Sequence, residues 1–299
     1  TWTRHVMSTP AVVAARVSFR AAPSSRRAHK RASVSRTRSA ASKTGCVVRA
    51  SSASGDKAPP AKVVVVGGSG FVGSRVCDAL RTAGVADVVS VSKSGGGPGG
   101  VAIDLSSDAC VTALTDAMKG ADCVVSCVGV FKPGDDDAMR EGNGTYNVRV
   151  VDAAVAAKVG RFVYVSVASI VPDALGGADS APVMAGYFAG KKMTEEAIAS
   201  AFEDSNVCIV KPSFIFGGDV FSVNPPRVTS QYGDVLVKIL GSGFVKSVAS
   251  KSPKPIALTL AEPVSVDDVA NAVCSGVFGR NPSMACDGTE EIKACAAAI

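Results

Sequence analysis

Imidazole and indole are nearly missing from this 299-residue sequence: its two histidines, His5 and His29, and its one tryptophan, Trp2, all stand near the N-terminus. Residues 58–299 therefore contain no histidine, which excludes Ser-His-Asp chemistry and His-ligated zinc from that part of the chain. The nine cysteines form no CxxC pair and no metal-type spacing. Cys123 and Cys127 sit in an apolar run, so the cysteines read as small, reduced core residues. No window reaches the roughly 18 uninterrupted apolar residues of a helical membrane span.

Acids are scarce at one end only. Residues 1–57 hold twelve Lys/Arg against a single acid, Asp56, which leaves 20 basic and 25 acidic residues for 58–299, a net charge of −5. A mildly acidic body argues against a nucleic-acid surface. The basic leader is rich in Ala, Ser, Arg and Val, a composition that cannot bury a core and that predicts an organellar transit peptide and linker over 1–57. Val48-Arg49-Ala50 before Ser51 resembles a plastid processing site, so a chloroplast address is favoured. A mitochondrial presequence is the alternative, and a basic arm for RNA or acidic lipid the weaker competitor.

What is present after Pro59-Pro60 is alternation. Lys62 to Val66 is a β-branched run ending in glycine, the pattern of a buried parallel strand. Helical spacing over Phe71 to Ala83 follows, then a strand near Val88 to Val91, a Gly-rich loop over Gly95 to Gly100, a strand at Val101 to Ile103 and a helix over Ser107 to Met118. Further strands are expected at Asp122 to Val128, Arg161 to Val167 and Val207 to Val210, separated by helices near Asp137 to Lys158 and Gly186 to Phe202. Six strands alternating with helices predict an α/β, doubly wound parallel-sheet Rossmann fold over 58–299. From Pro212 the pattern loosens, with helices near Tyr232 to Leu240 and Val266 to Phe278, and residues 212–299 read as a small C-terminal substrate lobe.

The strongest chemical signal is Gly67-Gly68-Ser69-Gly70-Phe71-Val72-Gly73, directly after the first strand and opening the first helix. Glycines at 67, 70 and 73 permit a sharp turn, close approach to a pyrophosphate and tight helix packing, with the helix N-terminus facing the phosphates. At the end of the second strand stands Ser92-Lys93-Ser94, with no acid to accept from a ribose 2′-hydroxyl. A cation between hydroxyls suits a 2′-phosphate, so NADP(H) is favoured over NAD(H), although lysine offers a point charge rather than a fork. Asp104 and Leu105 are placed to meet the adenine amino group, with helix capping as the alternative role. Tyr187 and Lys191, four residues apart, share one helix face. An ammonium there would lower the phenol's pKa for proton exchange and could also bind the nicotinamide ribose. Ser166 and Ser169 are the candidate hydroxyl partners. Asp135-Asp136-Asp137 and Asp267-Asp268 read as helix starts rather than cation sites, and no metal site is expected.

Together GGSGFVG (67–73), the Tyr187/Lys191 pair and KPSFIFG (211–217) resemble the extended or atypical short-chain dehydrogenases/reductases over about residues 60–280. More narrowly, SVSKSG (90–95), GYFAGKKMTEEAI (186–198) and PVSVDDVANAV (263–273) resemble a plastoglobule-associated branch of plants and algae, related to the accessory Rossmann subunit of respiratory complex I and a yeast coenzyme Q biosynthesis factor. The resemblance implies that Cys127-Val128-Gly129 flank the cofactor and that Pro212, Ser213 and Phe214 cover its nicotinamide. It departs at the catalytic serine, since neither Ser166 nor Ser169 sits in an unambiguous motif. Two functions follow as expectations. One is an NADP(H)-dependent oxidoreductase or epimerase acting on a small molecule of carbonyl, quinone or prenyl-lipid type. The other is a non-catalytic NADPH-bound scaffold or assembly factor at an organellar membrane, attached peripherally.

Overall fold

The computed structural model describes residues 58–174, 184–218, 222–223, 226–227, 229–240, 260–281 and 284–299, with the single positions Val245 and Pro253. The predicted leader, 1–57, and parts of the predicted lobe lie outside the described residues.

Val63 to Val66 have at most 1% exposure, and a strand buried on both faces can exist only at the middle of a covered sheet. That is where β1 (Lys62–Val66) lies. Helix α1 (Phe71–Thr82) returns the chain to β2 (Asp87–Ser92) and β3 (Gly100–Ala102) on one side. Helix α2 (Cys110–Met118) then crosses to β4 (Cys123–Ser126) on the other side of β1. Beyond it come α3 (Asp136–Arg140), α4 (Tyr146–Ala156), β5 (Arg161–Val165), α5 (Ile170–Ala174), α6 (Ala185–Ala201) and β6 (Val207–Lys211). Two-residue strands follow: β7 (Ile215–Phe216), β8 (Ser222–Val223) and β9 (Pro226–Arg227), before α7 (Ser230–Leu240) and β10 (Val264–Ser265). Helix α8 (Val266–Val277), β11 (Ala285–Asp287) and α9 (Thr289–Ala296) close the chain. The main sheet is seven-stranded, ordered β11-β6-β5-β4-β1-β2-β3, and its pairs are parallel. Its topological switch lies between β1 and β4, where open α/β sheets place ligands at the carboxyl ends of the strands.

Each face of the sheet has its own core. On one, Val63 and Val65 pack with Val76 and Leu80 of α1, Val269, Val273 and Val277 of α8, and Ile292 of α9. On the other, Val64 and Val66 pack with Leu114 and Met118 of α2, Val150 and Val151 of α4, and Ile198 of α6.

Several expectations are corrected. Within the lobe expected over 212–299, α8 and α9 form a wall of the main core, and β11 is a seventh strand beside β6. The strand expected to run to Val128 ends at Ser126, so Cys127 to Gly129 form a loop. The helix expected from Asp137 to Lys158 is broken by a π-turn at Glu141–Thr145. There the Asn147 amide donates to the Gly142 and Asn143 carbonyls at 3.4 and 3.1 Å, bonds that accompany the wider turn. Cys286 and Cys295 are joined as a disulfide between β11 and α9, whereas Cys77, Cys110, Cys123, Cys127, Cys208 and Cys274 are free. Among the described residues, no helix is long and apolar enough to cross a membrane.

Because Ile292 is fully buried, Ile292→Ala should lower unfolding free energy by about 2–4 kcal/mol in urea denaturation. A loss below about 0.5 kcal/mol would return α9 to the periphery.

Candidate functional site

Where β1 ends, Gly67 turns the chain with φ +82°, a conformation that glycine adopts without strain. The Gly67 and Gly68 amides donate to the Val91 carbonyl at 2.8 and 3.1 Å, which ties the loop to β2, and the Gly70 amide donates to the Gly67 carbonyl at 2.9 Å. Helix α1 starts after Gly70, and no side chain caps it. Its opening turn is therefore suited to an anion. The remaining glycines keep this cradle shallow. A Cβ on Gly73 would overlap the Gly67 carbonyl and lie 2.9 Å from the Gly68 Cα, and one on Gly68 would strike Ser90. Gly68 and Gly73 thus build the loop, while Gly67, Ser69 and Gly70 line the groove above it.

On the β2 side the groove widens into a chamber of about 320 Å³ lined by Ser92, Lys93, Asp104, Leu105, Ser106 and Tyr146. Here Lys93 Nζ and Asp104 Oδ2 form an ion pair at 2.9 Å. Asp104 Oδ1 also accepts from the Ser106 amide at 3.0 Å and the Ser106 hydroxyl at 2.7 Å. The Lys93 ammonium and both Ser106 donors hold the Asp104 carboxyl down at about 2. Leu105 is steadied by Arg149, whose Nη1 donates to its carbonyl at 2.6 Å. Ser94 is the one residue of the predicted 2′-phosphate corner that does not line the chamber.

Past the loop lies a second chamber of about 550 Å³. The two share Gly70, Cys127, Val128 and Gly129, so one groove runs across the switch point. Phe71, Val72, Pro212, Ser213 and Phe214 line the second chamber, with Tyr187 and Lys191 on its floor. Those two are placed by a glycine face of α6. A Cβ on Gly186 would overlap the Asp136 carbonyl, and one on Gly190 would come 2.9 Å from Asn143 Cβ and the Gly144 amide. Asp136 also accepts from the Gly186 amide at 3.0 Å, and Asp135 caps α3 by accepting from the Ala138 amide. The acidic run is thus a helix start. Ser265 caps α8, with Asp267 and Asp268 in its first turn.

Lys191 Nζ donates to the Val165 carbonyl at 2.9 Å and lies 4.8 and 5.8 Å from the ring centroids of Tyr164 and Tyr187. The ammonium therefore sits over the Tyr187 ring. The expected lowering of the phenol's pKa does not occur: burial pushes Tyr187 up to about 12. Burial pushes Lys191 down to about 8, against the opposing pull of Cys127 and Glu195.

The two candidate serines part company. Ser166 lines the chamber, but its hydroxyl donates to Glu195 Oε1 at 2.5 Å, and Glu195 is paired with Lys211 at 2.8 Å. Ser169 is not among the chamber's lining residues, and its amide donates to Asp287 at 3.1 Å. Sequence reading missed Asn143, on the π-turn, which lines the chamber and donates to the Val130 and Met139 carbonyls at 2.6 and 2.8 Å. Its signal was the Gly142-Asn143-Gly144 interruption of a helical pattern.

Because Lys191 titrates near 8 when folded and near 10.5 otherwise, the unfolded chain holds the extra proton between these values, and raising the pH through this window stabilises the fold. Lys191→Met should therefore gain most over wild type at or below about pH 8, and the gain should shrink towards about pH 10.5 in urea denaturation. A gain independent of pH would contradict a lysine depressed by burial.

Residues 63–251 match the NAD dependent epimerase/dehydratase family. An uncharacterized chloroplastic protein of Arabidopsis thaliana is 36% identical over 227 residues, 72% of this chain and 71% of that protein. Among solved structures, the fold is shared with the Bordetella bronchiseptica enzyme WbmH in complex with NAD+ (TM-score 0.51, 20% identity, 76% of this chain and 74% of that one). It is also shared with UDP-N-acetylglucosamine 4-epimerase from Bacillus cereus (TM-score 0.50, 13% identity, 78% and 81%). With its glycine cradle, switch-point groove and Tyr187/Lys191 floor, this chain belongs to the NAD dependent epimerase/dehydratase family.

Proposed function

We propose that this chain binds a nicotinamide dinucleotide along the groove, NADP(H) in preference to NAD(H), and reduces a small apolar carbonyl or quinone-type compound in a plastid. The observation that carries the reading is the continuity of the groove, from the glycine cradle through Cys127 to Gly129 to the floor formed by Tyr187 and Lys191. A bound nicotinamide would supply the hydride chemistry.

The chain's own residues then divide the work. Gly67 to Gly70 and the opening of α1 would receive the pyrophosphate, and Lys93, which lines the adjoining chamber, would attract a 2′-phosphate. Phe71, Val130, Phe131, Val171, Phe214 and Ile215 make the second chamber apolar, which suits an uncharged substrate of quinone or prenyl-lipid character. Tyr187, a neutral phenol lining the chamber, would be the proton donor in such a reduction. Lys191 is mostly charged below about pH 8 and can stabilise negative charge developing above it. The plastid address draws support from the chloroplastic relative and from the basic, acid-poor leader.

One observation favours a second reading, a cofactor-bound scaffold of quinone metabolism or of an organellar membrane complex. The Ser166 hydroxyl donates to Glu195, which is itself paired with Lys211, so its proton is turned to that pair rather than to Tyr187.

Calorimetry on the purified chain should show NADPH binding more tightly than NADH. Failure to bind either would remove the cofactor assignment, and equal binding would remove the preference. In a screen of quinones, prenyl carbonyls and nucleotide sugars, NADPH oxidation should appear with the first two classes. Tyr187→Phe should cut that rate roughly 100-fold or more. Turnover unaffected by the substitution would exclude Tyr187 as the acid, and tight binding without turnover on any substrate would favour the scaffold.

A further inference from the structure

The Lys93–Asp104 pair is more than a surface contact, because both partners line the chamber next to the glycine cradle. Among the described residues of that chamber, Lys93 is the one cation and Asp104 the one anion. The two are held unequally. Asp104 Oδ1 is fixed by the Ser106 amide and hydroxyl, so the carboxylate cannot swing aside without giving up two hydrogen bonds. The Lys93 side chain is 79% exposed, and its charged contact is Asp104 itself. A long, exposed lysine re-aims at little cost. A bound 2′-phosphate, carrying close to two negative charges, would draw Lys93 towards itself. It would also meet a fixed carboxylate that stays behind.

Resting on the cofactor reading above, we propose that Asp104 is a specificity-determining residue: its anchored carboxylate competes with the cofactor's 2′-phosphate for Lys93 and so holds down the preference of this chain for NADP(H) over NAD(H). Attraction by Lys93 and repulsion by Asp104 act on the same phosphate, and discrimination is their difference. The Asp104 carboxyl is held down at about 2, so the opposing charge is present across the working range of pH. The near neutrality of the chamber leaves selection to one movable cation set against one fixed anion.

The test uses the full chain and the ratio of its NADH to NADPH dissociation constants, measured by calorimetry at low salt. The two ligands differ only by the 2′-phosphate, so any contact of Asp104 with adenine cancels from the ratio. Asp104→Asn, which keeps the shape and an acceptor for Ser106, should raise the ratio roughly three- to tenfold, with the gain fading as salt is added. Lys93→Ala should bring the ratio below one, because the repulsion by Asp104 is then unopposed. Thermal unfolding of both variants checks that these exposed positions leave the fold intact. A ratio unchanged or lowered in Asp104→Asn would overturn the proposal, showing that Asp104 merely aims Lys93. If wild type binds both dinucleotides but Asp104→Asn does not move the ratio, the cofactor reading survives and this proposal alone falls. If wild type binds neither, both fall.

Discussion

The turn at Gly67 is the constraint on which the remaining architecture depends. It sits at the end of a strand whose Val63 to Val66 are buried, and it must reverse the chain into α1 within a few residues while leaving the helix N-terminus without a side-chain cap. Its carbonyl lies where a side chain on Gly73 would have to be. The first turn of α1 is therefore in contact with the strand end, and no larger residue at 73 is compatible with that approach. The tie of Gly67 and Gly68 to the Val91 carbonyl extends the constraint to β2. It fixes the distance from the cradle to Ser92 and Lys93, and hence the β2 side of the groove.

A second close approach answers the first on the opposite side of the switch point. Gly186 and Gly190 let α6 lie against α3 and the π-turn, and Thr194 Oγ1 donates to the Asn143 carbonyl at 2.7 Å. This lowers α6 until Lys191 reaches the Val165 carbonyl and Tyr187 closes the floor. The cost of burial appears in the opposite displacements of the two pKa values, the phenol up and the ammonium down. Both shifts favour the uncharged forms, as removal from water requires. On the proposed reading, proton donation by the neutral phenol is the task of this floor.

Much of this was legible in the sequence where local pattern and global fold impose the same demand. The Val63 to Val66 run followed by spaced glycines has one physical solution, a buried strand meeting a helix N-terminus, and the spacing of Tyr187 and Lys191 fixes their shared face whatever surrounds them. What escaped depends on contacts between distant segments. β11 is three residues long and is a strand only because β6 offers an unpaired edge. The π-turn depends on Asn147 and on the packing of α6. The disulfide joins two cysteines that no spacing motif pairs, and Ser169 is drawn away by Asp287, 118 residues distant. The Lys93–Asp104 pair was equally hidden: each residue was singled out for its own part of the cofactor, but no spacing shows that the two meet.

The central claim is that the turn from Gly67 to Gly73, with the uncapped start of α1, is where a dinucleotide is held. Hydrogen–deuterium exchange of the full chain with and without NADPH tests it most directly. The account predicts slowed exchange at residues 67–73 and 127–129, together with the start of α6 around Tyr187. Protection confined to other parts of the chain, with the glycine turn exchanging unchanged in saturating NADPH, would contradict it.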